Sequence, residues 1–173
     1  MTVLYPEASP VLGNIKVAVC DTVVSMAAPK AATEIKAGTS LDISCFIRVW
    51  NPEITTNSGT APSRLCTTLD LPQEGKTALN GIQIAYVYDP QAATSTDDNK
   101  ARLKLAQGSE FYIVVRKGLP YTTDWASGQF SEAIKVRCGR QNYVQSGDDE
   151  FAEFEIQQTL YPVAPPVHGT VAT

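Results

Sequence analysis

One histidine, four cysteines and a scatter of carboxylates are the side chains of this 173-residue chain with the potential for chemistry. A catalytic histidine needs a rigid frame within hydrogen-bond reach of its substrate. His168 instead lies in VAPPVHGTVAT, a proline-bearing tail, so a triad, a histidine-based metal site or a Cys/His nucleophile pair is not expected. Cys20, Cys45, Cys66 and Cys138 are widely spaced, form no CxxC pair and have no partnering histidines. Each sits in or beside a strand-like run, which predicts buried free thiols, with a Cys45 to Cys66 bridge as the open alternative. Asp148/Asp149 and Glu153/Glu155 are carboxylate pairs of the kind used in glycoside hydrolysis or calcium binding, yet such pairs also arise in any acidic strand. Asp97-Asp98-Asn99 is explained by a helix start, through capping and the macrodipole. Tyr86, Tyr88, Phe111 and Tyr112 suit a ligand groove only in part, because alternation turns half of them into the core. No phosphate loop, GxGxxG or EF-hand spacing is present. The expectation is a protein without catalysis, metal or cofactor.

The element that organises the chain is Thr77 to Gly118. Its apolar runs, Gly81 to Tyr88 and Phe111 to Val115, are rich in β-branched and aromatic residues and predict strands. Asp89-Pro90 ends the first; Ser95, Thr96 and Asp97 offer N-caps to a helix over about 96–107 that closes on Gly108. Ala101, Leu105 and also Leu103 are expected to face the core, with Lys100, Arg102 and Lys104 in water. Around this unit the chain is mainly β. Asn14 to Asp21 and Ser40 to Trp50 alternate as strands, the second with Leu41, Ile43, Cys45, Ile47 and Val49 on its core face. Asn51 to Ser63 is a run of turn formers and small polar residues that predicts a long hairpin loop, with Arg64 to Leu71 returning as a strand and Leu71 to Gly81 as a turn region. Beyond Gly118, a loop is pinned by Tyr121 and Trp125. Ser131 to Arg140 and Asp148 to Leu160 are the last strands, Glu153 and Glu155 forming an acidic face of the second. Residues 1–14 and 162–173 suit extended arms flanking one domain over 15–161.

Charge narrows the function. Charged residues make up only 18 % of the chain and the net charge is −4, which disfavours nucleic-acid binding. Residues 101–140 carry seven basic against three acidic side chains, and residues 141–173 none against five. Neighbouring strands that neutralise one another explain this, as do complementary faces for self-association. Met1 to Asn14 lacks a basic start and an apolar core, and no apolar run approaches membrane-spanning length, so a soluble protein made in a cytoplasm is expected, with no membrane anchor.

YVYDPQ (Tyr86 to Gln91), DDNKARLKLAQG and FYIVVRKGLPYTTDWASGQ (Phe111 to Gln129) together resemble the major tail protein, or tail tube protein, of long non-contractile-tailed bacteriophages of actinobacteria. The resemblance is strongest over about 77–130. It implies a small β-sandwich or barrel-like fold with one short flanking helix. It also implies hexameric rings of this protein stacked into a virion tail tube, assembled in the host cytoplasm with a tape measure protein and a tail terminator as partners. Genome DNA would pass through without specific binding. Asp42, Ser44, Asp70, Glu74, Glu153 and Glu155 are then candidates to face the lumen. Tyr5, Trp50, Asn51, Glu53, Ile54, Asn57, Arg64, Lys135, Arg137 and Tyr161 are candidates for contacts between subunits or rings. The competing class is a β-sandwich module that binds carbohydrate or mediates host adhesion; a related tail terminator or neck component also fits.

Overall fold

The computed structural model describes residues 10–60, 72–92, 97–148 and 150–173. Among these described residues eight strands form one antiparallel sheet: β1 (Ile15–Cys20), β2 (Leu41–Asp42), β3 (Ile47–Thr60), β4 (Pro72–Val87), β5 (Glu110–Lys117), β6 (Phe130–Gln145), β7 (Phe154–Pro162) and β8 (Val167–Thr170). The order is β2-β1-β5-β6-β7-β4-β3, with β8 paired to the start of β6. The two outermost strands of that path, β2 and β3, are separated in the chain by only residues 43–46. The sheet must therefore curl until its edges meet. At the seam the Ile43 amide donates to the Val17 carbonyl at 3.0 Å and the Val17 amide donates to Ser44 Oγ at 2.8 Å.

Alternation along each strand sorts side chains to the two faces of this curled sheet. Inside lie Val17, Val19, Ile82, Ile84, Tyr86, Ile113, Val115, Ile134, Val136, Ile156 and Leu160, closed over by Ala101 and Leu105 of a short helix. Outside, a smaller cluster covers β1, β5 and the start of β6: Ala18, Cys20, Val114 and Ala133 meet Ile35, Trp125 and Val171. The strand, helix, strand order expected for residues 77–118 is present. The helix is shorter than 96–107, because it consists of a 3-10 turn Asp97–Asn99 and an α-helix α1 (Lys100–Lys104). Ala101 and Leu105 are buried, whereas Leu103 is exposed. Arg102 and Lys104 are half-buried, Arg102 stacking on Tyr88 and Tyr143 and Lys104 pairing with Asp21. So short a helix gains little from its own backbone bonds. Gln141 Nε2 fixes it by donating to the carbonyls of Arg102 at 2.9 Å and Leu105 at 3.2 Å, and Gln158 Nε2 donates to Leu105 at 2.9 Å. Tyr86 Oη joins this network, accepting from Gln141 and donating to Gln158, and burial raises its pKa.

Several expectations are corrected. Ser40 to Trp50 is not one strand. Asp42 accepts from the Ser44 amide and hydroxyl, and residues 44–46 turn, so β2 ends and β3 begins with its faces shifted. Cys45 and Val49 are consequently exposed, and Phe46 and Trp50 pack on the core. The loop expected over 51–63 is strand as far as Thr60, and the turn region expected over 71–81 is strand from Pro72. The return strand expected at 64–71 lies outside the described residues. The last long strand starts at Phe154, not Asp148, and β6 runs on to Gln145. The C-terminal residues 162–173 are not an arm without a core: β8 pairs with β6, and Val171 is 2 % exposed.

That C-terminal strand is clamped from outside by residues 27–31. The Thr170 amide donates to the Ala27 carbonyl, and a β-carbon at Gly169 would overlap that same carbonyl. The backbones meet where only a glycine fits. Gly169→Ala is therefore expected to cost about 2 kcal/mol through forced backbone displacement, seen as a lower urea midpoint at unchanged slope. A midpoint unchanged within error would contradict the close packing.

Cys20 and Cys138 are buried free thiols, and burial pushes both up to about 11; Cys45 is free but exposed. Cys66 lies outside the described residues. In a Cys66→Ser background, iodoacetamide at neutral pH should modify Cys45 alone, with Cys20 and Cys138 reacting only after unfolding, as read by mass spectrometry of the peptides. Equal labelling of all three in native protein would contradict the burial.

Candidate assembly surfaces

The hairpin of β3 and β4 is longer than the sheet that carries it. β3 pairs with β4 from Ile47↔Tyr86 to Thr60↔Pro72, but β7 accompanies β4 only from Ile82↔Leu160 to Val87↔Glu155. Residues 53–60 and 72–81 therefore leave the sheet as a two-stranded ribbon, about 27 Å long at the usual rise per residue. The departure point is built locally. The register shifts between Glu53 and Ile54, and Gly81, opposite Glu53, takes φ +141°, a backbone state open to glycine. A β-carbon there would also stand 2.8 Å from Thr159 Cγ2. Beyond this point both outer edges of the ribbon lack a strand partner among the described residues. An isolated two-stranded hairpin is at best marginally stable in water, and unpaired edges invite further pairing. The ribbon thus has the physical character of an element completed by another molecule.

Charges on the body are largely neutralised within the chain. Glu110 takes Arg137 at 2.6 Å and Lys135 at 3.4 Å, and Arg137 with Lys135 holds its carboxyl below the usual range. Lys117 meets Glu132 at 3.0 Å, Lys36 meets Asp124 at 2.6 Å and Lys16 meets Asp42 at 3.6 Å. Arg48 lies 3.5 Å from Glu153 and 3.9 Å from Glu155. These pairs neutralise charge locally; among the described residues none joins the basic 101–140 stretch to the acidic 141–173 stretch, whose Glu153 and Glu155 meet Arg48 instead, and exposed pairs of this kind contribute little to stability.

The lumen candidates fall into separate places. Asp42 and Ser44 share the β2 turn at one sheet edge, while Glu153 and Glu155 flank Arg48 near the other, with Glu155 only 6 % exposed. Asp70 lies outside the described residues. Glu74 sits on the ribbon opposite Ser58. Among the contact candidates, Glu53, Ile54 and Asn57 belong to β3 of the ribbon and its base, and Asn51 is exposed beside them. Trp50 is half-buried on the core; Lys135 and Arg137 are engaged by Glu110; Tyr161 is 53 % exposed opposite Arg137. Tyr5 and Arg64 lie outside the described residues. His168 is exposed in β8, opposite Glu132.

Sequence reasoning missed an aromatic cluster at the opposite end of the sheet from the ribbon. Tyr88 makes edge contacts with Tyr143 at 5.2 Å and Phe154 at 6.5 Å, and Arg102 stacks on both tyrosines. Tyr143 and Phe154 are about half exposed. Alternation continued past Arg140 into QNYVQ is the signal that would have found it. Among the described residues no cluster of three or more His, Cys, Asp or Glu can hold a metal ion, and no helix is long and apolar enough to cross a membrane.

The described residues form a curled antiparallel sheet from which a two-stranded ribbon projects, a mainly β protein. The comparison with protein families specifies which. The model of the phage tail tube protein family matches residues 2–173, nearly the whole chain, and this chain belongs to that family: a structural component of a virion tail. A search of curated proteins finds no match.

Proposed function

We propose that this chain is the repeating subunit of the hollow tail tube of a long non-contractile-tailed phage with an actinobacterial host, closing into hexameric rings that stack into a conduit for DNA ejection. The observation that carries this reading is the ribbon, which extends about 27 Å beyond the pairing of β4 with β7 and has no third strand beside it among the described residues. Laid on a copy in the neighbouring ring, it gains the supporting surface that a two-stranded hairpin needs to be stable in water. Asn51, Glu53, Ile54 and Asn57 make contacts of this kind, Tyr5, Trp50 and Arg64 support them, and Lys135, Arg137 and Tyr161 border a side-to-side contact. The lumen candidates remain Asp42, Ser44, Asp70, Glu74, Glu153 and Glu155. Assembly takes place in the host cytoplasm, with a tape measure protein inside the tube and a terminator at its end. The tube acts passively, without catalysis or a cofactor. Electron microscopy of the purified protein across a concentration series tests the proposal: rings or tubes are expected, and dispersed small particles at every concentration would contradict it.

A further inference from the structure

The edges of the curled sheet meet along only part of their length. Ile43 and Ser44 close the seam at Val17, and β2 pairs with β1 at Ala18 and Val19. Toward the start of β1 the seam opens into a groove of about 360 Å³, walled by Ile15, Ile47 and Trp50 and rimmed by Val11, Cys45 and Tyr121. The three wall residues are half-buried and pack on the core, so the groove is a gap through which the core meets solvent. Both of its sides are strand edges. The amide and carbonyl of Val17 point across the seam, and alternation aims those of Ile15 the same way, where no strand pairs with β1 among the described residues. β3 likewise has β4 on one side only.

Apolar walls between two open edges fit one short, uncharged strand. The chain before the described residues is MTVLYPEAS, residues 1–9. Its stretch Thr2 to Tyr5 has no charged side chain and is rich in β formers, and Pro6 both favours extended backbone at Tyr5 and ends such a strand. The groove of the same copy lies out of register for it. The Asn14 amide donates to the Val11 carbonyl at 3.2 Å in a turn that has Gly13 at φ +76°. Continued back along β1 from Val11 opposite Asn14, this turn would set Pro10 opposite Ile15 and Ala8 opposite Val17. The groove would then receive Pro-Glu-Ala-Ser, and Tyr5 would fall opposite Cys20, past the two residues where β2 already pairs. The apolar stretch meets the apolar groove only on another copy.

Resting on the tube reading above, we infer that residues 2–5 of a neighbouring copy enter this groove as a strand between β1 and β3, closing the curled sheet of the copy that receives them. The backbones of Ile15 and β3 supply the hydrogen bonds, and the walls of Ile15, Ile47 and Trp50 take Val3, Leu4 and Tyr5. Residues 6–10 bridge the two subunits, reaching about 17 Å when extended. Each copy gives one strand and receives one, a head-to-tail contact that repeats from subunit to subunit.

Disulfide capture tests the inference, because Cys45 is an exposed free thiol on the groove while Cys20 and Cys138 are buried. In a Cys66→Ser background, Val3→Cys and Leu4→Cys, made separately, present the two faces of the entering strand. Oxidised tubes of at least one variant should give a ladder of chains joined from position 3 or 4 to Cys45, at least about tenfold more abundant than from dilute free subunits. Mass spectrometry of the linked peptides and the ladder itself separate links between chains from links within one. Links confined to single chains, or tubes of both variants without any link to Cys45, would overturn the inference and leave the tube reading intact. Wild-type protein that never forms tubes would overturn the tube reading and the inference with it. Should the variants fail to assemble, a cryo-EM map of wild-type tubes decides: a strand in the groove continuous with Pro10 of another subunit is expected, and a groove holding any other segment, or none, would overturn the inference.

Discussion

Arg116→Ala is expected to lower the stability of the free subunit by about 3 kcal/mol. Arg116 is 0 % exposed on the outer side of β5, and it holds the 118–129 loop in place. Its Nη2 donates to the Pro120 carbonyl at 2.8 Å, and its Nη1 donates to the Asp124 carbonyl at 3.2 Å and to Gln129 Oε1 at 3.1 Å. The guanidinium also stacks on Trp125 at 5.2 Å, and Trp125 in turn packs on Ala18, Val114 and Val171. Alanine removes every one of these donors and the indole contact, leaving the Asp124 carbonyl with Gln129 Nε2 at 2.9 Å as its donor. Arg116→Lys should cost about 2 kcal/mol, because a single ammonium lacks the planar fork that reaches three acceptors and stacks on an indole. Urea unfolding measures both values. Native Trp125 fluorescence supplies a second readout, shifting to longer wavelength as the loop lets the indole meet water. A loss under about 1 kcal/mol with unchanged fluorescence would contradict the clamp.

The second large effect concerns assembly. Replacing residues 55–78 by Asn-Gly joins the paired residues Ile54 and Leu79 through a two-residue turn of the type that suits hairpins. The sheet pairing of β4 with β7 begins at Ile82, so the body is untouched. The shortened chain should keep the stability of the full chain to within about 1 kcal/mol, since a solvated ribbon adds little to a monomer. Assembly should fall by at least about a thousandfold in apparent association constant, as each lost contact repeats around the ring. Sedimentation velocity of both chains measures this. Tubes formed equally well without the ribbon would remove it from the account.

How much of this was legible in the sequence depended on what held each element. Thr77 to Gly118 was legible because its strands are apolar and β-branched and its helix presents Ala101 and Leu105 to the core. The ribbon was not, because NPEITTNSG carries turn formers, and its strand state comes from pairing with β4, not from local propensity. Alternation placed Ile43 correctly but carried the same phase across residues 44–46, where Asp42 turns the chain and resets the face. Period-two patterns encode orientation only while the strand persists. The C-terminal strand was hidden because VHGT is short, and what holds it is the backbone of Ala27 and Gly169. The buried role of Arg116 is not visible in VVRKG, since its acceptors are loop carbonyls brought to it by the fold. For the candidate site, residue types pointed to self-association, but only register shows which side chains share a face.

Hydrogen exchange on the free and the assembled protein tests the central claim most directly, because it reads the ribbon backbone itself. Amides over residues 53–60 and 73–81 should exchange rapidly in the free subunit and become protected at least about a hundredfold in the tube, while β5 and β7 are protected in both. Ribbon amides that exchange at the same rate in the two states would contradict an account in which the ribbon is completed by a neighbouring copy.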